Sequence, residues 1–323
     1  MLRPRMIGGS GGFEASGLCL GALGLGTYVD EETSFAILDR FVAAGGTLVD
    51  TANNYCFWEP GCTGDESEAL LGRWLASRGT RDKVHIATKC GARPIRPGGT
   101  LADAEGLSAP VIRQALHGSL RRLGTDRVDL YYPHIEDRSV PLTETVEALD
   151  GLVKDGAVRL LGVSNHPAWR IERARALAGD QGRTPYSCLQ LRYSFLQPRF
   201  DIPLPEDGHT HVTPETLDYV RQEPDLTLLA YGSLLFGAYT RADKTLSKAY
   251  DHPGTPRRLA VLREVAREAG ATPNQVVLAW LTGGSPSVLP IVGVSSVAQV
   301  DEAIEAMEVT LTDDQRARLD AAH

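Results

Sequence analysis

Eight short runs of apolar, β-prone residues recur along the chain, and each is followed by at least one stretch of helical periodicity. The runs are LCLGALGLGT (18–27), TLVDTA (47–52), VHIATK (84–89), VDLYYPH (128–134), RLLGVSN (159–165), SCLQLRYS (187–194), LTLLAYGSL (226–234) and VLPIVGVSS (288–296). Most are near-continuously apolar, the pattern of parallel strands covered on both faces. The stretches between them have readable ends. EETSFAILDRFVAAGG opens with acids and stops at Gly45, and DESEALLGRWLASRG has Asp65 near its start and Gly79 after it, as helix capping favours. Ser108 ahead of Pro110 reads as an N-cap with an early proline, and Gly124 ends that helix.

Eight strand–helix repeats predict a (β/α)8 TIM barrel spanning 1–323 as one domain, with extra C-terminal helices. The segment RMIGGSGGFEASG before the first run predicts an N-terminal β-hairpin that closes the barrel bottom. A doubly wound sheet is the competing architecture, and it carries a phosphate fingerprint straight after its first strand. Here Gly21, Gly24 and Gly26 give G-x-x-G-x-G instead of G-x-G-x-x-G. These glycines read as sites of tight packing and close ligand approach.

Composition narrows the function classes. With 42% hydrophobic residues in 323, the chain can bury a large core without staples. Its 33 basic and 41 acidic side chains give −8, which argues against a phosphate-backbone (nucleic-acid) binder. No apolar run is long enough to span a bilayer, and MLRPRMIGGSGG lacks the apolar stretch of a secretory signal. Five cysteines, an odd number with no zinc-like spacing, read as free thiols in a reducing cytoplasm. No metal site is expected: His209 and His211 in GHTHV have no carboxylate or cysteine to complete a ligand set, and read as a solvated loop.

Polar residues gather where the runs end. Asp50 ends the second, Lys89 the third, His134 the fourth and Asn165 the fifth; Gln190, Tyr231 and Ser295 lie within or late in the last three. In a barrel, all of these strand ends open on one face. Asp50 and Tyr55 share one loop, DTANNY. A tyrosine with a reference pKa of about 10 exchanges its proton poorly near neutral pH, and a neighbouring ammonium favours the phenolate. Lys89 can supply that charge, Asp50 can hold Lys89, and His134 can hydrogen-bond a substrate oxygen. Together they suit proton transfer in carbonyl reduction. A purely structural Asp50–Lys89 ion pair is the competing reading.

At these residues the chain resembles the aldo-keto reductase family. The segments that carry the resemblance are LGLGTY (23–28), DTANNY (50–55), IATK (86–89), SLRRLGTDRVDLYYPH (119–134), GAVRLLGVSN (156–165), LQLRYS (189–194), AYGSLL (230–235) and IVGVSSVAQVDEA (291–303). The resemblance implies a (β/α)8 barrel and a catalytic tetrad of Asp50, Tyr55, Lys89 and His134, with Tyr55 as general acid. It implies that Ser164, Asn165 and Gln190 hold a nicotinamide carboxamide while Tyr231 stacks on the ring. Gly26, Thr27 and Asp50 would be further cofactor contacts under the same resemblance. The loop Gly232, Ser233, Leu234 to Gly237 would cover the pyrophosphate, and Gly293, Ser295, Ser296 and Gln299 would surround the adenosine. A nicotinamide is required because no side chain donates hydride.

The chain also departs from the family pattern. Tyr231-Gly232-Ser233-Leu234 stands where many members have Y-S-P-L or Y-S-A-L; the adenosine loop lacks Lys or Arg; and Ala303 replaces an Asn that often recognises adenine. NADP(H) is the expected cofactor, with NAD(H) kept open, because Asp301 and Glu302 would repel a 2′-phosphate. The expected partner is a small-molecule carbonyl substrate. Tyr28, Phe57 and Trp58 would form an aromatic pocket wall, and Glu136 and Asp137 would add polar groups suited to a sugar-like hydroxylated compound. The alternative to a reductase is a cofactor-binding sensor or regulatory subunit on the same barrel. Oligomeric state is not legible.

Overall fold

The computed structural model describes residues 2–96, 98–203 and 208–322. Eight parallel strands close into a barrel: β3 (Cys19–Gly21), β4 (Leu48–Asp50), β5 (His85–Cys90), β6 (Val128–Pro133), β7 (Val158–Ser164), β8 (Cys188–Arg192), β9 (Thr227–Tyr231) and β10 (Leu289–Gly293), with β10 pairing with both β3 and β9. Each of the eight predicted runs overlaps one of these strands, with β5 and β7 each extending one residue beyond its run. The first is the most shortened: β3 covers only three residues of 18–27, because the chain turns directly after it, with Leu25 N–H donating to the Ala22 carbonyl at 3.1 Å, and again at Gly26 with φ +84°.

The helices are α1 (Glu31–Ala43), α2 (Glu66–Arg78), α3 (Ala109–Leu123), α4 (Leu142–Lys154), α5 (Ala168–Asp180), α6 (Pro214–Gln222), α7 (Gly254–Ala269), α8 (Pro273–Thr282), α9 (Val297–Ala306) and α10 (Asp313–Asp320). α7 and α10 are the additions to the eight-unit plan and pack on each other. No helix among the described residues is long and apolar enough to cross a membrane. All five cysteines are free thiols.

Strands β1 (Pro4–Ile7) and β2 (Phe13–Ser16) form the antiparallel hairpin. Ile7, Phe13 and Ala15 plug the barrel bottom against Cys19, Leu48, Ala87 and Leu130, and Gly8 N–H donates to Thr227 Oγ1 at 2.9 Å. This interior layer sets the site above it. Side chains alternate along a strand, so a residue two positions further on points inward one layer higher. From Leu48 that residue is Asp50; from Ala87, Lys89; from Cys188, Gln190; from Leu229, Tyr231. An apolar floor therefore carries a polar layer at the C-terminal mouth. The outward positions, such as Leu20, Val49, Ile86 and Tyr131, join the helix faces in the larger core.

Candidate active site

The mouth of the barrel brings Asp50, Tyr55, Lys89 and His134 together. Lys89 is fully buried, and its ammonium has three N–H donors. They reach Asp50 Oδ1 at 2.5 Å, the Thr51 carbonyl at 2.7 Å and the Tyr55 hydroxyl at 2.6 Å. Tyr55 O–H in turn donates to Asp50 Oδ1 at 3.1 Å, and Asp50 Oδ2 accepts from Gln190 Nε2 at 2.7 Å. Lys89 favours the Tyr55 phenolate, yet the net pKa of Tyr55 is raised and not lowered. At an effective dielectric near 20, an ammonium 2.6 Å away favours the phenolate by about 6 kcal/mol. A carboxylate 3.1 Å away disfavours it by about 5 kcal/mol. The two nearly cancel, and burial then pushes the phenol well above its ordinary value, with Asp50 adding to the rise. Tyr55 rests as a proton holder. Burial likewise pulls Lys89 down, against the opposing pull of Asp50.

His134 follows β6, its backbone N–H bonded to the Cys90 carbonyl at 2.8 Å and its ring 6.0 Å from that of Tyr55. Burial, then the charge of Lys89 and the neighbouring His209, holds its pKa well below 6.5, so the imidazole is neutral. Its buried Nδ1 meets no partner. Among the described residues, no group of three or more His, Cys, Asp or Glu side chains could hold a metal ion.

The residues expected around a nicotinamide lie beside this tetrad. Asn165, in the left-handed region at φ +56°, donates from Nδ2 to the His134 carbonyl at 3.0 Å and to Ser164 Oγ at 3.1 Å, and its Oδ1 accepts from Tyr231 O–H at 2.6 Å and Thr210 N–H at 3.1 Å. Ser164 O–H donates to the Gln190 carbonyl at 2.9 Å. After Tyr231, Gly232, Leu235, Phe236 and Gly237 all take positive φ, from 48° to 93°. Gly232 takes φ +65°, a backbone region that favours glycine. Successive backbone turns of this kind aim N–H groups into a concavity that suits an anion, and Ser233 is pinned below by its O–H bond to the Ala230 carbonyl at 2.8 Å. Gly26 sits where a Cβ would lie 3.2 Å from Glu66 O and Leu70, and Thr27 O–H donates to the Gly24 carbonyl at 3.2 Å. The polar layer and this cradle fit a dinucleotide laid across the mouth.

At the end of β10, Gly293 is exposed. Ser295 N–H donates to Gln299 Oε1 at 2.7 Å, and Ser296 caps α9 by accepting from Gln299 N–H. Both acids expected to repel a phosphate have partners elsewhere, a cation for Asp301 and neutral donors for Glu302. Asp301 pairs with Arg40 at 2.6 Å, and Glu302 is turned to α8, where Thr272 and Asn274 donate to it at 2.6 and 3.2 Å.

Tyr28 and Trp58 form a fixed rim, with Trp58 Nε1–H donating to Tyr28 OH at 3.0 Å and Tyr28 O–H to Glu59 at 2.5 Å. Phe57 packs edge-on to Trp58 at 5.1 Å. Glu136 is spent on Arg138 and Arg170, at 2.9 and 3.1 Å, and Asp137 accepts from Leu107 N–H and Ser139. His209 is not a solvated loop residue: its half-buried ring packs edge-on to Tyr231 at 5.4 Å. Arg192, one layer above Gln190 and paired in register with Tyr231, lays its stem against Gly232. Neither residue has a local sequence signal; Arg192 was legible only from its two-residue offset from Gln190.

A sequence model of the aldo/keto reductase family matches residues 17–323. The chain belongs to that family. It is 32% identical to norsolorinic acid reductase stcV of Emericella nidulans over 96% of this chain and 79% of that one. An aryl-alcohol dehydrogenase of Pestalotiopsis microspora is 29% identical over 96% and 79%. An uncharacterized oxidoreductase of Bacillus subtilis, YrpG, is 32% identical over 94% and 90%. Among solved structures, the thermostable aldo-keto reductase Tm1743, in complex with the inhibitor epalrestat, superposes with a TM-score of 0.77 at 26% identity, over the whole of both chains. This aldo/keto reductase is an enzyme, a nicotinamide-dependent oxidoreductase that reduces carbonyl compounds. The matches lend nothing to a sensor or regulatory subunit.

Proposed function

We propose that the reductase uses NADPH in preference to NADH and that Tyr55 delivers the proton to the carbonyl oxygen of an aldehyde or ketone. The observation that carries this reading is the Lys89 ammonium, whose three donors end on Asp50, Thr51 and Tyr55. The pKa of Tyr55 lies high, so the phenol is protonated at neutral pH and ready to give. As the proton leaves, Lys89 stands 2.6 Å from the oxygen that gains charge. Neutral His134 orients the carbonyl, since a single imidazole N–H can donate without carrying charge. Bound beside Ser164, Asn165, Gln190 and Tyr231, the nicotinamide supplies the hydride. Asp50 is a positioning residue that holds Lys89 charged.

NADPH is favoured because the N-terminus of α9 and free backbone N–H groups can hold a phosphate without a cation, and because Asp301 and Glu302 are occupied elsewhere. The missing basic residue makes the preference modest, since a charge-assisted contact is worth about 1.5–3 kcal/mol. For the substrate, the bonded Tyr28–Trp58 rim and Phe57 favour a flat apolar or aromatic body. Two of the relatives are named for norsolorinic acid and aryl alcohols, which agrees with that wall. With Glu136 and Asp137 spent, a sugar-like hydroxylated compound would bind chiefly through its apolar face on Trp58. The test is kcat/KM for aryl, alkyl and hydroxylated aldehydes with both cofactors. The reading expects turnover, NADPH ahead of NADH and aryl substrates ahead of the others; an NADH preference, or none for aryl compounds, overturns the corresponding part.

A further inference from the structure

We propose that Glu105 is a positioning residue for Tyr55, acting through one oxygen that ties the two catalytic loops together. The proposal rests on the reading of Tyr55 as proton donor. After β5, residues 91–95 pair with residues 103–106: Pro94 bridges Ala104, Ile95 N–H donates to the Asp103 carbonyl at 2.9 Å, and Glu105 N–H to the Arg93 carbonyl at 2.8 Å. This antiparallel arm returns Glu105 beside Gly91. Glu105 Oε1 then accepts two hydrogen bonds, from Gly91 N–H at 2.8 Å and from Asn53 Nδ2 at 2.8 Å. Gly91 lies two residues after Lys89 on the same chain segment, and Asn53 two residues before Tyr55 on the other.

The same arm clamps the loop at further points. Asn54 Nδ2 donates to the Ala92 carbonyl at 3.0 Å. Arg93 donates to the Asn53 carbonyl and pairs with Asp65, ahead of α2. Besides the bonds of the Lys89 ammonium, the backbone tie at Asn53 is longer, from its N–H to the Lys89 carbonyl at 3.3 Å. The Glu105 oxygen is thus a short bridge between the segment that carries the ammonium and the segment that carries the phenol. Because both bonds end on one oxygen, an amide can keep them and a methyl cannot. Misplacing a reacting group by about 1 Å costs about 10²-fold in rate, so a partly loosened loop in Glu105→Ala should lower kcat by about ten- to a hundredfold.

The experiment compares wild type, Glu105→Ala and Glu105→Gln. Expected is a lowered kcat in Glu105→Ala with unchanged cofactor affinity, and in Glu105→Gln a kcat and pH profile like those of wild type. Wild-type turnover in Glu105→Ala, a Glu105→Gln as slow as the alanine variant, or a kcat loss matched by loss of cofactor affinity each overturns the proposal. Fluorotyrosine labelling, with the Tyr55 resonance assigned through Tyr55→Phe, gives a readout that needs no turnover. Glu105→Ala must shift or broaden that resonance and Glu105→Gln must leave it. A wild type inactive on every carbonyl tested overturns the functional reading alone, whereas an unmoved Tyr55 resonance in Glu105→Ala overturns the positioning role alone.

Discussion

Replacing Lys89 by methionine separates its two roles, counter-ion of Asp50 and stabiliser of the Tyr55 phenolate. The ammonium lies 2.6 Å from the Tyr55 oxygen, an attraction of about 6 kcal/mol for the full phenolate at an effective dielectric near 20. If about half of that charge has developed in the transition state, the loss is about 3 kcal/mol, or about 10²-fold in kcat. The substitution also strands Asp50, which is 1% exposed, and breaking such a buried pair costs about 3–5 kcal/mol of stability. A slow Lys89→Met alone therefore proves little. The decisive variant adds Asp50→Asn, which removes the stranded charge and with it the carboxylate's opposing pull on the phenolate at 3.1 Å, so most of the lost stability should return and kcat should climb back to within about tenfold of wild type. The assay pairs Tm by calorimetry with kcat at saturating cofactor and carbonyl substrate for both single variants and the double. If Tm returns in the double variant while kcat stays about 10²-fold down, the two charges do not offset each other at Tyr55 and the reasoning about Tyr55 is refuted.

Three further expectations follow from the same geometry. Tyr55→Phe should lose about 10²–10⁴-fold in kcat, the usual worth of a general acid, yet bind cofactor with unchanged affinity in a fluorescence titration. His166 is buried with its pKa lowered from 6.5 to about 4, so between those values the unfolded chain holds a proton that the folded chain does not. Stability should fall as pH drops through that window by about 1.4 kcal/mol per unit for this group, and urea midpoints at pH 7 and pH 5 should differ less in His166→Gln than in wild type. Trp58→Ala should raise KM for aryl aldehydes while leaving kcat nearly unchanged, because the ring is part of the wall and lies outside the tetrad; steady-state kinetics on an aryl and an alkyl aldehyde check it.

Much of the architecture is legible without coordinates because it is written locally. Eight apolar runs with capped helices between them can bury their faces as a closed barrel, and the two-residue period along each strand already says that Asp50 stands above Leu48 and Lys89 above Ala87. What only the tertiary structure decided are quantities that depend on several distant groups at once. The direction of the Tyr55 pKa is one, since Lys89 and Asp50 act on it with opposite signs at 2.6 and 3.1 Å and burial breaks the near tie. The charge beside the adenosine loop is another: Asp301 is acidic in the sequence, but Arg40 of α1, far away along the chain, neutralises it at 2.6 Å. His209 and Glu105 belong here too, because the segments carrying them have no periodicity to read and gain their place only by folding over the mouth. Strand and helix patterns arise from contacts within a few residues, whereas charge and pKa arise from Coulomb sums over whatever the fold brings close.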